Sequence, residues 1–185
     1  FVGIYNADVQ LIDSLSFGKQ FYNHSFGRVS DASAVWSHFY MPTPGKSNTG
    51  TYYNTQTTMP LFSKAGGFYT GSLKIGLSHP SSTAKLYYTL GGYEPSDTSM
   101  LYTDSISISS NTIVRARAYD AASAPSPIVS QSYFIDMSKE LPVLSLSIDP
   151  RFLWDDSIGI YVVGKNGVTG PWDPVKKNYY REWER

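Results

Sequence analysis

Between Pro60 and Ile135 apolar and polar residues alternate with the two-residue period of a half-buried strand, and this pattern limits the chain more than any other feature. Leu73, Ile75 and Leu77 alternate with Ser72, Lys74, Gly76 and Ser78; Leu86, Tyr88 and Leu90 alternate with Tyr87 and Thr89. Ile106 and Ile108 alternate with serines, and Val114, Ala116 and Ala118 alternate with Arg115 and Arg117. Turn-forming clusters at His79-Pro80-Ser81-Ser82, Gly91-Gly92-Tyr93-Glu94-Pro95 and Ser109-Ser110-Asn111 cut the pattern into short strands, with Gln131 to Ile135 as the last. Nothing in this stretch has helical period. An all-β fold of antiparallel sandwich modules follows, with Leu73, Ile75, Leu77, Leu86, Tyr88, Val114, Ala116 and Ala118 facing inward.

The remaining segments fit the same class. Phe1 to Tyr5 and Gln10 to Phe17 flank Asn6-Ala7-Asp8 and read as a hairpin. Met41 to Asn48, with two prolines and a glycine, stops regular structure and predicts a module boundary, while Thr49 to Met59 reads as a linker or an edge strand. Leu141 to Ile148 reads as an apolar strand, Asp149-Pro150 as a helix cap and first helical residue, Arg151 to Asp155 as one helical turn, and Ile158 to Val163 as a further strand. The chain lacks an initiating Met, opens as though inside a strand and stops at Arg181-Glu182-Trp183-Glu184-Arg185, so it reads as a fragment.

Three stretches resemble known families. Pro60-Leu61-Phe62-Ser63, Gly66-Gly67-Phe68-Tyr69, Leu86 to Ser96 and Ile113 to Ala118 are similar to the immunoglobulin-like module at the C-terminus of chitobiase and β-hexosaminidase, over about residues 58–136. That family usually has Asp-Gly-Ser where this chain has Gly91-Gly92-Tyr93. Ile12 to Gly18, Ser25-Phe26-Gly27-Arg28, Trp36 and Pro42 to Asn48 resemble the closing half of a bacterial lamin-tail domain, itself an immunoglobulin-like sandwich. Leu141 to Pro150, Leu153-Trp154-Asp155-Asp156, Gly159-Ile160-Tyr161-Val162 and Arg181 to Arg185 resemble the opening of the spore-coat CotH kinase-like family. The order implies a large exported bacterial protein divided into a partial lamin-tail-like domain (1–48), a linker (49–57), the chitobiase-type module (58–136), and a linker with the start of a CotH-like domain (137–185), located outside the cell or on its surface.

Composition narrows the function. Fifteen Lys+Arg balance fifteen Asp+Glu, so no global field draws the protein to nucleic acid, and no apolar run approaches the roughly 20 residues of a membrane span. With no cysteine, neither disulfides nor thiolate metal sites are available. Gly45-Lys46-Ser47 lacks the preceding glycine of a phosphate loop, since Tyr40 stands there, and reads as a turn. His24, His38 and His79 have no paired zinc-ligand spacing, and Ser25 beside His24 lacks a nucleophile elbow. Asn23-His24-Ser25 is a formal glycosylation sequon of little weight in a bacterial export context. Glu94, Asp97, Asp104, Asp120 and Asp136 all fall at turns or ends rather than as a carboxylate pair across a cleft. Asp149, Asp155 and Asp156 are the densest acidic group, a candidate Ca²⁺ or Mg²⁺ site set against the helix-cap reading of Asp149.

The positive signal is aromatic. Tyr52, Tyr53, Tyr87 and Tyr93 are the candidate binding residues, able to stack on a sugar ring or anchor a protein contact, with packing between modules as the alternative. Arg115 and Arg117 are read as a solvated pair, and Trp36, Trp154 and Trp183 as packing residues. No catalytic residue and no cofactor is expected. The sequence therefore predicts a non-catalytic structural or binding module whose partners are neighbouring domains of its own polypeptide and a glycan or protein at the cell surface. The alternative is the accessory part of a CotH-like protein kinase whose catalytic residues lie beyond Arg185. The incomplete ends are expected to be covered by each other, by the central module, or by a second copy forming a dimer through exposed edges, with Trp154, Tyr161 and Trp183 buried there.

Overall fold

The computed structural model describes residues 1–138, 140–170 and 175–178. It has two compact units: Phe1–Thr57 with Asp120–Pro125, and Thr58–Tyr119 with Ser126–Arg185.

In the first unit β1 (Val2–Tyr5) and β2 (Leu11–Leu15) form the expected antiparallel hairpin. Asn6 makes the turn: its Oδ1 accepts the amides of Asp8 at 3.1 Å and Gln10 at 2.8 Å, the Asx geometry for which asparagine is favoured. A three-stranded antiparallel sheet follows from β3 (Ser25–Arg28), β4 (Trp36–Phe39) and β5 (Tyr52–Tyr53). The stretch 41–48 is thus not a module boundary but a loop between paired strands. It is pinned back by Asn48, whose Nδ2 donates to the Arg28 carbonyl at 2.7 Å and whose Oδ1 accepts the Thr43 hydroxyl. The stretch Thr49 to Met59, read as a linker or an edge strand, supplies β5 at the edge of this sheet, and the Thr57 amide donates to the Ala124 carbonyl.

The second unit holds the sandwich. Its strands are β6 (Leu61–Phe62), β7 (Gly67–Tyr69), β8 (Leu73–Ile75), β9 (Leu77–Ser78), β10 (Lys85–Leu90), β11 (Met100–Leu101), β12 (Ile106–Ile108), β13 (Thr112–Tyr119) and β14 (Val129–Ile135). One sheet has the order β11-β10-β13-β14-β7, antiparallel except for the parallel β14–β7 pair. The facing layer consists of β12-β8 and β6-β9, in which β8 and β9 are one run of chain broken at Gly76. The break is fixed by Ser63, whose amide donates to the Gly76 carbonyl and whose Oγ accepts the Gly76 amide at 2.7 Å. Chain leaving β6 therefore crosses to the opposite sheet as β7, the arrangement of an immunoglobulin-like sandwich.

The inward face is the one the alternation specifies. Leu73, Ile75, Leu77, Leu86, Val114, Ala116 and Ala118 are buried, and Tyr88 packs half-buried against them. Ile106, Ile108 and Tyr133 complete the core. Lys74, between Leu73 and Ile75, is exposed, as the two-residue register requires.

Beyond β14 the structure departs from expectation. Residues 141–148 form no strand, and Leu141, Leu144 and Leu146 are exposed. The helical turn does form, as α1 (Arg151–Trp154), entered through Pro150 in helical conformation with φ −54° and ψ −24°. Residues 158–163 form turns instead of a strand. The amides of Ile160 and Tyr161 donate to the carbonyls of Phe152 and Leu153, closing the end of α1 instead of seeking a sheet. Trp154 and Tyr161 stack at 5.5 Å but stay 62% and 68% exposed, so the chain itself does not bury them; Trp183 lies outside the described residues.

Candidate functional site

The turn from Gly91 to Pro95, between β10 and β11, gathers more polar contacts than its length suggests. Gly91 and Gly92 have φ of +80° and +96°, conformations that glycine adopts without strain. From β13, Arg115 reaches across: its Nη1 donates to the Gly92 carbonyl at 2.7 Å and its Nη2 lies 3.6 Å from the Glu94 carboxylate. The Thr89 hydroxyl donates to the Tyr93 carbonyl from the other side. So braced, the turn presents the Tyr93 side chain to solvent, 49% exposed.

Tyr87 is placed differently. It is half-buried on the outer face of β10, opposite Arg117, with its ring edge-on to Tyr119 at 5.4 Å. Arg115 and Arg117 are not a solvated pair. Arg117 is buried, its Nε donating to the Ser126 carbonyl at 2.8 Å and its guanidinium lying 5.8 Å from the Tyr119 ring centre. Strand register correctly gives Arg117 the outer face; it does not reveal that the chain after β13 folds back over that face. In the first unit Tyr52 is exposed beside Phe39, whereas Tyr53 is half-buried next to His24. Tyr52 and Tyr93 are therefore the candidates with a free ring face.

The carboxylates of Asp149 and Asp155 are taken up by the chain itself, whereas Asp156 engages it through its main-chain carbonyl. Asp149 is 1% exposed: it takes the Arg151 guanidinium at 2.8 Å and the Arg151 amide at 2.9 Å, and the Glu94 backbone faces it. Hydrogen bonds from the Arg151 side chain hold its carboxyl below the usual carboxylate range, against the opposite push of burial. Asp155 Oδ1 accepts the amides of Ser157 and Ile158. The Asp156 carbonyl accepts the Lys165 amide and Asn178 Nδ2. Among the described residues no group of three or more His, Cys, Asp or Glu side chains is placed to hold a metal ion.

One cluster was not foreseen. Around β3 and β4, His38 stacks on Phe21 at 3.7 Å and leans on Phe26, which stacks on Trp36; His24 meets Phe21, Tyr40 and Tyr53 edge-on. His24 Nδ1 donates to the Tyr22 carbonyl, and the Nε2 atoms of both histidines are buried without a hydrogen-bond partner. Burial, reinforced by His24, pushes the His38 pKa down. The sequence signal was the pairing of aromatic and histidine residues at Ser25–Arg28 and Trp36–Phe39, which alternate in strand register. His79 is instead a turn residue, its Nε2 donating to the Thr58 carbonyl and its Nδ1 accepting the Ser81 amide. Lys46 closes a turn on Thr43.

Residues 64–130 match the family model described as the chitobiase/beta-hexosaminidase C-terminal domain. The matched stretch runs from just before β7 to the start of β14, so it spans most of the sandwich and includes the 91–95 turn. Neither the curated proteins nor the solved structures gave a match. Among the described residues no helix is long and apolar enough to cross a membrane.

Proposed function

We propose that the chain is a non-catalytic, carbohydrate-binding part of an exported bacterial protein, with the sandwich as its binding module. The observation that carries this is Tyr93: a ring held out to solvent by a turn braced through Arg115, in a module matching the C-terminal domain of glycan-processing enzymes. An aromatic face is apolar enough to stack on the C–H face of a pyranose, and a braced turn loses little entropy on binding. Tyr52 is the second contact residue on the first unit.

The lamin-tail-like resemblance of residues 1–48 and the CotH-like resemblance of 137–185 support a location outside the cell or on its surface. They also support a second reading, in which this chain is an accessory part of a CotH-like kinase and the catalytic residues belong to another stretch of the polypeptide. The two readings part on a glycan array. Under the first, the purified protein binds a subset of N-acetylhexosamine glycans, and Tyr93→Ala weakens that binding at least tenfold without changing the circular dichroism spectrum. Absence of glycan binding overturns the first reading.

A further inference from the structure

We propose that the 91–95 turn is a docking surface for the chain's own segment 148–154, and that through it the sandwich holds the following chain in a set orientation. This does not depend on glycan binding. Three observations meet at one place. The Gly92 backbone is so close to the segment that a Cβ there would lie 2.6 Å from the Ile148 carbonyl oxygen, and Gly92 is buried although it sits on a surface turn. The Asp149 carboxylate, 1% exposed, lies between the turn, whose Glu94 backbone faces it and whose Gly92 meets Ile148 and Pro150 on either side of it, and the start of α1, which it binds through the Arg151 amide and guanidinium. On the sandwich side, Arg115 grips the Gly92 carbonyl and Glu94, so the turn cannot yield independently of β13.

The intervening chain makes this contact necessary for a fixed geometry. Residues 141–148 form no helix or strand and expose Leu141, Leu144 and Leu146, so they have no stiffness of their own. Without the contact at the turn, α1 and the turns packed on its carbonyls would be tied to the sandwich only by a tether whose one side-chain hydrogen bond to it, among the described residues, is the exposed Ser145 hydroxyl donating to Ser132 of β14 at 2.7 Å. A buried carboxylate supplies that contact with strong directionality: removing its partners leaves a charge out of water with nothing to compensate it, so the docked state is sharply favoured over near alternatives. The occupant of the surface is thus a named part of the same chain, and the matching chemistry is one carboxylate between the backbone of the turn and the Arg151 amide and guanidinium.

Nuclear magnetic resonance on the full chain tests this through two readouts, amide exchange and residual dipolar couplings. In the wild type, the Glu94 and Arg151 amides should exchange at least tenfold more slowly than those of Leu144 and Leu146, and the couplings of β13 and of residues 151–162 should fit one alignment tensor. In Asp149→Ala both amides should lose that protection and the couplings should require two tensors, while β13 amides stay protected. Arg151→Ala, at an exposed side chain, should produce the same change in smaller measure. Exchange of Glu94 and Arg151 at the rate of Leu144 in the wild type, or a single tensor in Asp149→Ala, overturns the proposal. Loss of β13 protection in Asp149→Ala also overturns it, because a docking contact lies outside the fold of the sandwich.

Discussion

Tyr133 carries a hydroxyl into the core of the second unit. Its ring is fully buried among Leu73, Ile75 and Val114, yet the hydroxyl reaches the Lys64 carbonyl at 2.8 Å, which makes the burial tolerable. Burial, with Tyr69 nearby, pushes its pKa up to about 12. Because the folded value is raised, the neutral phenol's contribution is complete below the unfolded pKa of about 10 and is lost as pH rises from there toward 12. Stability measured by urea unfolding should therefore be flat through neutral pH and fall steeply above about pH 10. Tyr133→Phe should cost about 1 to 3 kcal/mol at pH 7 by orphaning the Lys64 carbonyl, and should flatten the alkaline fall. An equally steep fall in the variant would locate the alkaline sensitivity elsewhere.

Elements show why part of this fold was readable and part was not. Leu73-Lys74-Ile75 and Leu144-Ser145-Leu146 alternate equally well, but β8 lies between β12 and the opposing sheet, whereas residues 141–148 have no partner strand among the described residues. Alternation records which face would be buried; pairing with another strand decides whether a strand exists at all. The same limit explains Arg117, whose outward register was legible and whose cover by Ser126 was not. Of the candidate site, the turn with Tyr93 was visible as a Gly-Gly cluster, but the docking of Asp149 onto it joins residues more than fifty positions apart and leaves no local trace. The contrast yields a paired prediction. Ile75→Ala, opening a cavity at a fully buried site, should lose about 2 to 5 kcal/mol, whereas Leu144→Ser and Leu146→Ser should each stay within about 0.5 kcal/mol of wild type. A comparable loss at Leu144 would mean that segment 141–148 has a packed partner.

At the scale of the whole molecule, the two compact units carry different acid-sensitive groups, so acid should not act on them together. In the first unit the folded pKa of His38 is depressed, chiefly by burial, and its Nε2 has no acceptor waiting for a proton. The stability it contributes is present above the unfolded value of about 6.5 and is lost as pH falls below that toward the folded value. The groups around it do not reverse this sign: His24 lowers the value further, the Tyr53 backbone raises it by less than burial lowers it, and Arg28 lies over Trp36, two residues along β4 from His38. In the second unit the depressed group is Asp149, so that contribution stays complete down to about pH 4 and is lost below it as the folded value is passed. Acid titration followed residue by residue should therefore show two separate events rather than one cooperative transition. Amides of β3 and β4 should lose protection first, between about pH 6.5 and 5, and those of Glu94 and Arg151 only below about pH 4. His38→Phe, which keeps the stacking on Phe21 and removes the titrating nitrogen, should abolish the first event and leave the second in place. Simultaneous loss of protection in both units, or an unchanged first event in His38→Phe, would show that His38 does not govern the acid response of the first unit.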